Sequence, residues 1–166
     1  ATAGRQVVVG SSMGGWLAVL LAEARRETGR VAGLVLIAPA WDMTRSLLWD
    51  RWSKKARKEF LATGLHFERS PYSAEPDPIT RALIDDGDRH LIGERLVETG
   101  CPVHILQGRA DPDVPWQHAA ALVSRLASDD VVLTLVKDGD HRLSRPEDIE
   151  RLRAALAAMV AEAAPG

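Results

Sequence analysis

The sequence predicts an α/β fold: a parallel sheet of about four strands with flanking helices and one long insert. Three observations predict it. Short apolar, β-branched runs read as buried strands. They alternate with longer helix-forming runs, the pattern of parallel strands joined by right-handed crossovers. At 166 residues, 46% hydrophobic and 27% charged, the chain is one domain long and can bury a core.

Residues 6–10 (Gln-Val-Val-Val-Gly) read as the first strand. Residues 13–28 follow as a helix, because the segment from Trp16 to Arg26 is rich in Ala and Leu. Residues 32–38 (Ala-Gly-Leu-Val-Leu-Ile-Ala) read as the second strand. The third and fourth are expected at 102–107 and 131–136, with a helix at 116–127 between them. A last helix is expected at 146–162. Pro146 suits its first turn, and Ile149, Leu152, Leu156, Met159 and Val160 share one face.

Within this single domain, 1–166, the insert at 42–97 breaks the rhythm. Residues 47–61 read as one broken or two short amphipathic helices, and 65–69 as a short extended piece. Pro71, Pro76 and Pro78 punctuate a loop, and a helix restarts over 79–84. Trp41, Trp49 and Tyr72 are candidates for lining a substrate pocket, or for gluing the insert to the core. The run Lys54-Lys55-Ala56-Arg57-Lys58 reads as a solvated face.

Chemistry concentrates at Gly10-Ser11-Ser12-Met13-Gly14. A Gly-x-Ser-x-Gly between a strand and a helix is the context of a nucleophile elbow. The turn presents Ser12 Oγ at the carboxyl end of the strand, and Gly10 and Gly14 remove side chains that would collide with neighbours. The N–H of Met13, at the helix start, can donate to a developing oxyanion. A serine nucleophile needs a base, and the base needs an orienting acid. Asp111 lies in a Gly- and Pro-rich loop after the third strand, and His141 in the loop after the fourth. Asp113 and Asp42 are alternative acids. His104 lies inside a strand, His66 and His90 in the insert, and His118 near a helix start, so His141 has the favoured position. Asp140 is expected to stabilise its turn.

These segments carry a resemblance. Gly-Ser-Ser-Met-Gly-Gly-Trp at 10–16, Leu-Gln-Gly-Arg-Ala-Asp-Pro-Asp-Val-Pro-Trp at 106–116, Pro-Ile-Thr-Arg-Ala-Leu-Ile-Asp-Asp-Gly at 78–87 and Lys-Asp-Gly-Asp-His-Arg-Leu-Ser at 137–144 resemble α/β-hydrolase-fold serine hydrolases. Within that fold they look like the abhydrolase branch of palmitoyl-protein thioesterases and acyl-glucuronide esterases, with its bacterial relatives. The resemblance implies catalytic Ser12, Asp111 and His141, Met13 as one oxyanion donor, and an insert capping the site. It implies hydrolysis of a small-molecule acyl ester or thioester with no cofactor. An acyltransferase, a carbon–carbon bond hydrolase and a non-catalytic module are alternatives on the same residues. In such proteins the serine usually follows the fifth strand, and here it follows the first. The chain is therefore expected to be the carboxyl-terminal part of a larger protein. The sheet order expected is 6–10, 32–38, 102–107, 131–136, with Val7–Val9 at an open edge.

Composition narrows the partners. A formal net charge of −2 gives no basic footprint for nucleic acid. No apolar run approaches a bilayer span. No Cys/His cluster has metal-ligand spacing, so no metal is expected. The single cysteine, Cys101, cannot form an internal disulfide. With no signal-like start, it favours a cytoplasmic chain.

Overall fold

The valine run predicted as the first strand forms β1 (Gln6–Ser11), followed by α1 (Met13–Arg25) and a 3₁₀ turn, Arg26–Thr28. Then come β2 (Val31–Ile37) and the insert, which holds α2 (Lys54–Thr63), β3 (Leu65–Glu68), β4 (Asp77–Thr80) and α3 (Arg81–Gly87). The chain continues through β5 (Val103–Gly108), α4 (Trp116–Arg125), β6 (Val131–Val136) and α5 (Pro146–Ala163). The computed structural model describes residues 4–69, 74–126 and 129–163, so Tyr72 lies outside the described residues. Two compact units result: residues 1–41 with 92–166, and residues 42–91.

The first unit is built on a four-stranded sheet in the order β1-β2-β5-β6, the order expected from sequence. All three pairings are parallel, with Val8 beside Leu34, Leu36 beside Ile105, and Ile105 beside Leu133. Interior β2 is the most buried strand, and Leu34, Val35 and Leu36 have no exposure. The α5 stripe predicted as core packs here. Ala155 and Met159 cluster with Val35, supported by Val7, Leu152 and Leu156. Gly33 makes room for Met159, whose thioether a Cβ at that position would strike. Val160, predicted on the same stripe, is 52% exposed, because the buried face is centred on Ala155 and Met159.

A buried carboxylate fixes the start of α5. The Asp148 side chain is 1% exposed and receives Arg145 Nε at 2.7 Å and Arg151 Nη1 at 3.0 Å. Arg145 also reaches Asp138 at 2.7 Å, tying α5 to the loop after β6. In that loop Asp140 Oδ1 accepts the N–H groups of Arg142 and Leu143, the turn-stabilising role expected of it.

The second unit has its own small core of Trp52, Phe60, Ile79 and Ile84, with Leu48 and Trp49 packed against it. Ser53 Oγ caps α2 by accepting from Ala56 N–H, and Gly64 at φ 74° ends that helix. β3 and β4 pair antiparallel, placing Ile79 beside His66. This differs from the expected helical restart at 79: Ile79 gains a strand partner and a buried site, and the helix starts at Arg81, capped by Thr80. The compact unit also closes at Leu91 rather than 97. Ile92 and Val97 are buried, and Val97 N–H donates to Arg125 O at 2.8 Å at the end of α4, so this stretch belongs to the first unit. Among the described residues no helix is long and apolar enough to cross a membrane.

β1 forms one edge of the sheet, as expected, and beside it Val9, Leu17 and Leu21 are 47%, 54% and 44% exposed. An unprotected apolar edge templates association. Val9→Lys is expected to reduce concentration-dependent self-association of the chain, read by sedimentation velocity. Unchanged association would show that this edge is not the template.

Candidate active site

Ser12 stands between the last residue of β1 and the first of α1, with φ 53° and ψ −123°. That conformation lies outside the regions favoured by L-residues. Strain of this kind costs about 1–3 kcal/mol and persists only where the surroundings over-determine it. Here Ser12 N–H donates to Ile37 O at 2.8 Å. Its carbonyl accepts from Gly15 N–H at 2.9 Å and from Ala40 N–H at 3.0 Å. A Cβ at Gly10 would enter the backbone of Gly14 and Gly15, so glycine is required there. Gly14, expected to serve the same purpose, faces open space. The close approach falls to Gly15, whose Cβ would lie 2.8 Å from Pro39, because this second glycine of α1 faces the segment after β2. Met13 begins α1, where the first N–H groups lack acceptors within the helix.

The loops after β5 and β6 meet without side chains between them. A Cβ on Gly108 would collide with the carbonyls of Gly139 and Asp140. Ala110 N–H donates to Gly139 O at 3.0 Å, and Arg109 N–H to Val136 O at 2.8 Å. This contact brings His141 Nδ1 to 2.8 Å from Asp111 Oδ2, while His141 Nε2 lies 3.0 Å from Ser12 Oγ. The structure thus joins Ser12, His141 and Asp111 in one hydrogen-bonded chain, and Asp111 rather than Asp113 or Asp42 holds Nδ1 of the histidine.

The Asp111 side chain is fully buried. Its Oδ1 accepts from Asp113 N–H at 2.8 Å and Val114 N–H at 2.9 Å. Gln107 Nε2 lies 3.2 Å from Oδ2 and also donates to the carbonyls of Gly108 and Val114. Burial pushes the Asp111 carboxyl up, but the bonds from His141 and from the N–H groups of Val114 and Asp113 outweigh it and leave the group below its ordinary value. The hydrogen bond to Asp111 raises His141 above its ordinary 6.5 against the effect of burial, with Asp113 and Asp140 adding to the rise. An ionised Asp111 can only accept, so Nδ1 carries a proton and a neutral ring turns the Nε2 lone pair to Ser12 Oγ. Ligand atoms of Asp111, Asp113 and His141 lie within 4.8 Å of one another, but both His141 nitrogens are engaged with Ser12 and Asp111.

The other histidines lie elsewhere. His104 Nε2 meets Thr134 Oγ1 at 2.9 Å between β5 and β6. His66 packs against Trp52 at a tilt of 51°, and His90 closes the 3₁₀ turn after α3. His118 and Trp41 stack, with centroids 4.8 Å apart. Trp49 packs edge-on to Phe60 in the insert, with Arg57 over its ring. Sequence reasoning missed Gln107 and His118. A glutamine at the end of the largely apolar run 102–107 was the available signal for the first; nothing local marks the second.

A parallel sheet bearing a serine on a strained strand–helix turn is the architecture of the α/β-hydrolase fold. The chain belongs to the alpha/beta hydrolase family, whose model matches residues 1–152. It is 33% identical over 150 residues to the mitochondrial palmitoyl-protein thioesterase ABHD10 of Homo sapiens, covering 90% of this chain and 48% of that protein. The chain therefore spans about half the length of the curated relatives it matches. A putative hydrolase from Agrobacterium vitis S4 superposes with a TM-score of 0.89 at 52% identity, covering 93% of this chain and 61% of the other. Alpha/beta hydrolase domain-containing protein 10 from mouse gives 0.86 at 30% identity, covering 99% and 65%.

Gly108→Ala tests the loop contact. Forcing a methyl group into the Gly139 carbonyl is expected to cost about 1–3 kcal/mol of stability. It should also return the His141 titration, followed by NMR, toward 6.5. A titration identical to that of the parent would show that the contact does not set the Asp111–His141 geometry.

Proposed function

We propose that this chain carries the catalytic residues of a serine hydrolase that cleaves carboxylic esters or thioesters through an acyl-enzyme. The supporting observation is the 3.0 Å contact from Ser12 Oγ to a histidine whose other nitrogen is held by buried Asp111. His141 Nε2 takes the Ser12 proton as Oγ attacks the substrate carbonyl. Asp111 holds the ring in the required tautomer and stabilises the imidazolium. Met13 N–H donates to the oxyanion of the tetrahedral intermediate. His141 returns the proton to the departing alcohol or thiol, leaving Ser12 acylated. It then deprotonates a water that attacks the acyl carbonyl, and Ser12 and the free acid are released.

The name of the human relative makes a long-chain acyl thioester the first substrate to test. Cys101, buried and free, suits a reducing compartment such as the cytoplasm. The mitochondrial location in the relatives' names belongs to those proteins.

A fluorophosphonate probe is expected to label Ser12. Ser12→Ala should abolish labelling and lower turnover of p-nitrophenyl esters by about 10⁴-fold or more. Retained labelling would place the nucleophile elsewhere.

The reaction needs neutral His141, and its pKa is raised. Hydrolysis should therefore climb with pH through a midpoint above 6.5. Asp111→Asn removes the charge that raises it, so the remaining activity should have a lower midpoint and fall by about 10⁴-fold. A parent midpoint at or below 6.5 would show that Asp111 does not support the working histidine.

A further inference from the structure

The segment that brackets Ser12 is itself held by a reciprocal tie 77 residues away in sequence. After β2 the chain turns at Ala38, with φ 44°, passes Pro39 against Gly15, and bonds Ala40 N–H to the Ser12 carbonyl. The next residue, Trp41, is 7% exposed. Its indole Nε1–H donates to the His118 carbonyl at 2.8 Å, and His118 Nε2 lies 2.7 Å from the Trp41 carbonyl. A carbonyl has no proton to give, so Nε2–H is the donor. The two rings stack at an interplanar angle of 22°. Each side chain therefore bonds the other residue's backbone, and the pair locks residue 41 to α4.

We propose that His118 is a positioning residue for Ser12, acting through Trp41 to hold the 38–41 segment and, with it, the strained backbone of the serine. This stretch supplies the bond from Ala40 N–H to Ser12 O, while Ile37, the last residue of β2, accepts from Ser12 N–H. Ile37 is fixed by the sheet, but the Ala40 N–H would not be fixed if the chain beyond it could swing. A bond through a backbone carbonyl on each side makes the tie independent of the insert that begins at residue 42. The proposal rests on Ser12 being the nucleophile for its kinetic readout, but not for its structural one.

The test compares the parent with His118→Phe, which keeps a stacking ring and removes the Nε2–H donor, and with His118→Gln, which can return an N–H to the Trp41 carbonyl. By amide hydrogen exchange, Ala40 should exchange about tenfold faster in His118→Phe, the loss of one hydrogen bond, and nearer the parent rate in His118→Gln. Fluorophosphonate labelling and kcat should fall by a similar factor while KM and the acid-limb midpoint stay put, since the Asp111–His141 pair is untouched. Trp41→Phe, which loses the indole donor, should reproduce the exchange effect if His118→Phe does not fold. Unchanged exchange at Ala40 in a folded variant overturns the proposal, whatever the activity. Faster exchange with parent-like labelling and kcat also overturns it, leaving His118 a structural residue only. A parent that is not labelled at Ser12 defeats the serine-hydrolase reading alone, and the exchange result then decides the proposal.

Discussion

The backbones of the loops after β5 and β6 touch at Gly108 and Gly139, and the candidate site depends on that contact. Any side chain at Gly108 would push apart the two loops that carry Asp111 and His141. With the side chains absent, Ala110 N–H reaches Gly139 O, and the carboxylate meets the imidazole at 2.8 Å. The contact needs β5 and β6 adjacent and parallel, so that both loops leave the same end of the sheet. The Asp148–Arg145–Asp138 ion-pair chain then fixes the second loop to α5. Burial alone would make Asp111 a weaker anion; two backbone N–H groups and His141 restore its charge.

Ser12 is secured differently. Its loop is short and strained, and the restraint comes from the strand beside it. β2 pairs with β1 through Ser11 and Ile37, Ile37 O accepts from Ser12 N–H, and the chain after β2 folds back across the turn so that Ala40 N–H bonds the Ser12 C=O. One glycine from each side of the turn, Gly10 and Gly15, allows the approach. The site is thus two backbone-to-backbone contacts, one under the serine and one under the acid and base, joined by a single side chain, His141.

The insert solves a separate packing problem. Trp52, Phe60, Ile79 and Ile84 bury one another, while Arg57 and Arg81 lie over the rings of Trp49 and Phe60. Part of the run expected as a solvated basic face is therefore used: Arg57 Nε also donates to Trp49 O at 2.8 Å. A side chain with a long apolar stem and a planar cation can serve a small core and water together.

The sequence by itself determined the four strands of the larger sheet, the helices between them and their order, and it singled out Ser12, Asp111 and His141 as candidates. Those features are local or follow from topology: an apolar run makes a strand, a helix between parallel strands sets the crossover hand, and each of the three candidates lies in the turn or loop after a strand. Tertiary structure decided which glycine is needed beside Pro39, that Ile79 pairs as a strand, that Ile92 and Val97 join the larger unit, and that His118 and Trp41 hold each other. Each of these depends on residues distant in sequence, from Ile79 with His66 to Trp41 with His118. Periodicity and motif spacing carry no record of which atoms meet across such separations. Only the packed chain, where every buried backbone group must find a partner, fixes them.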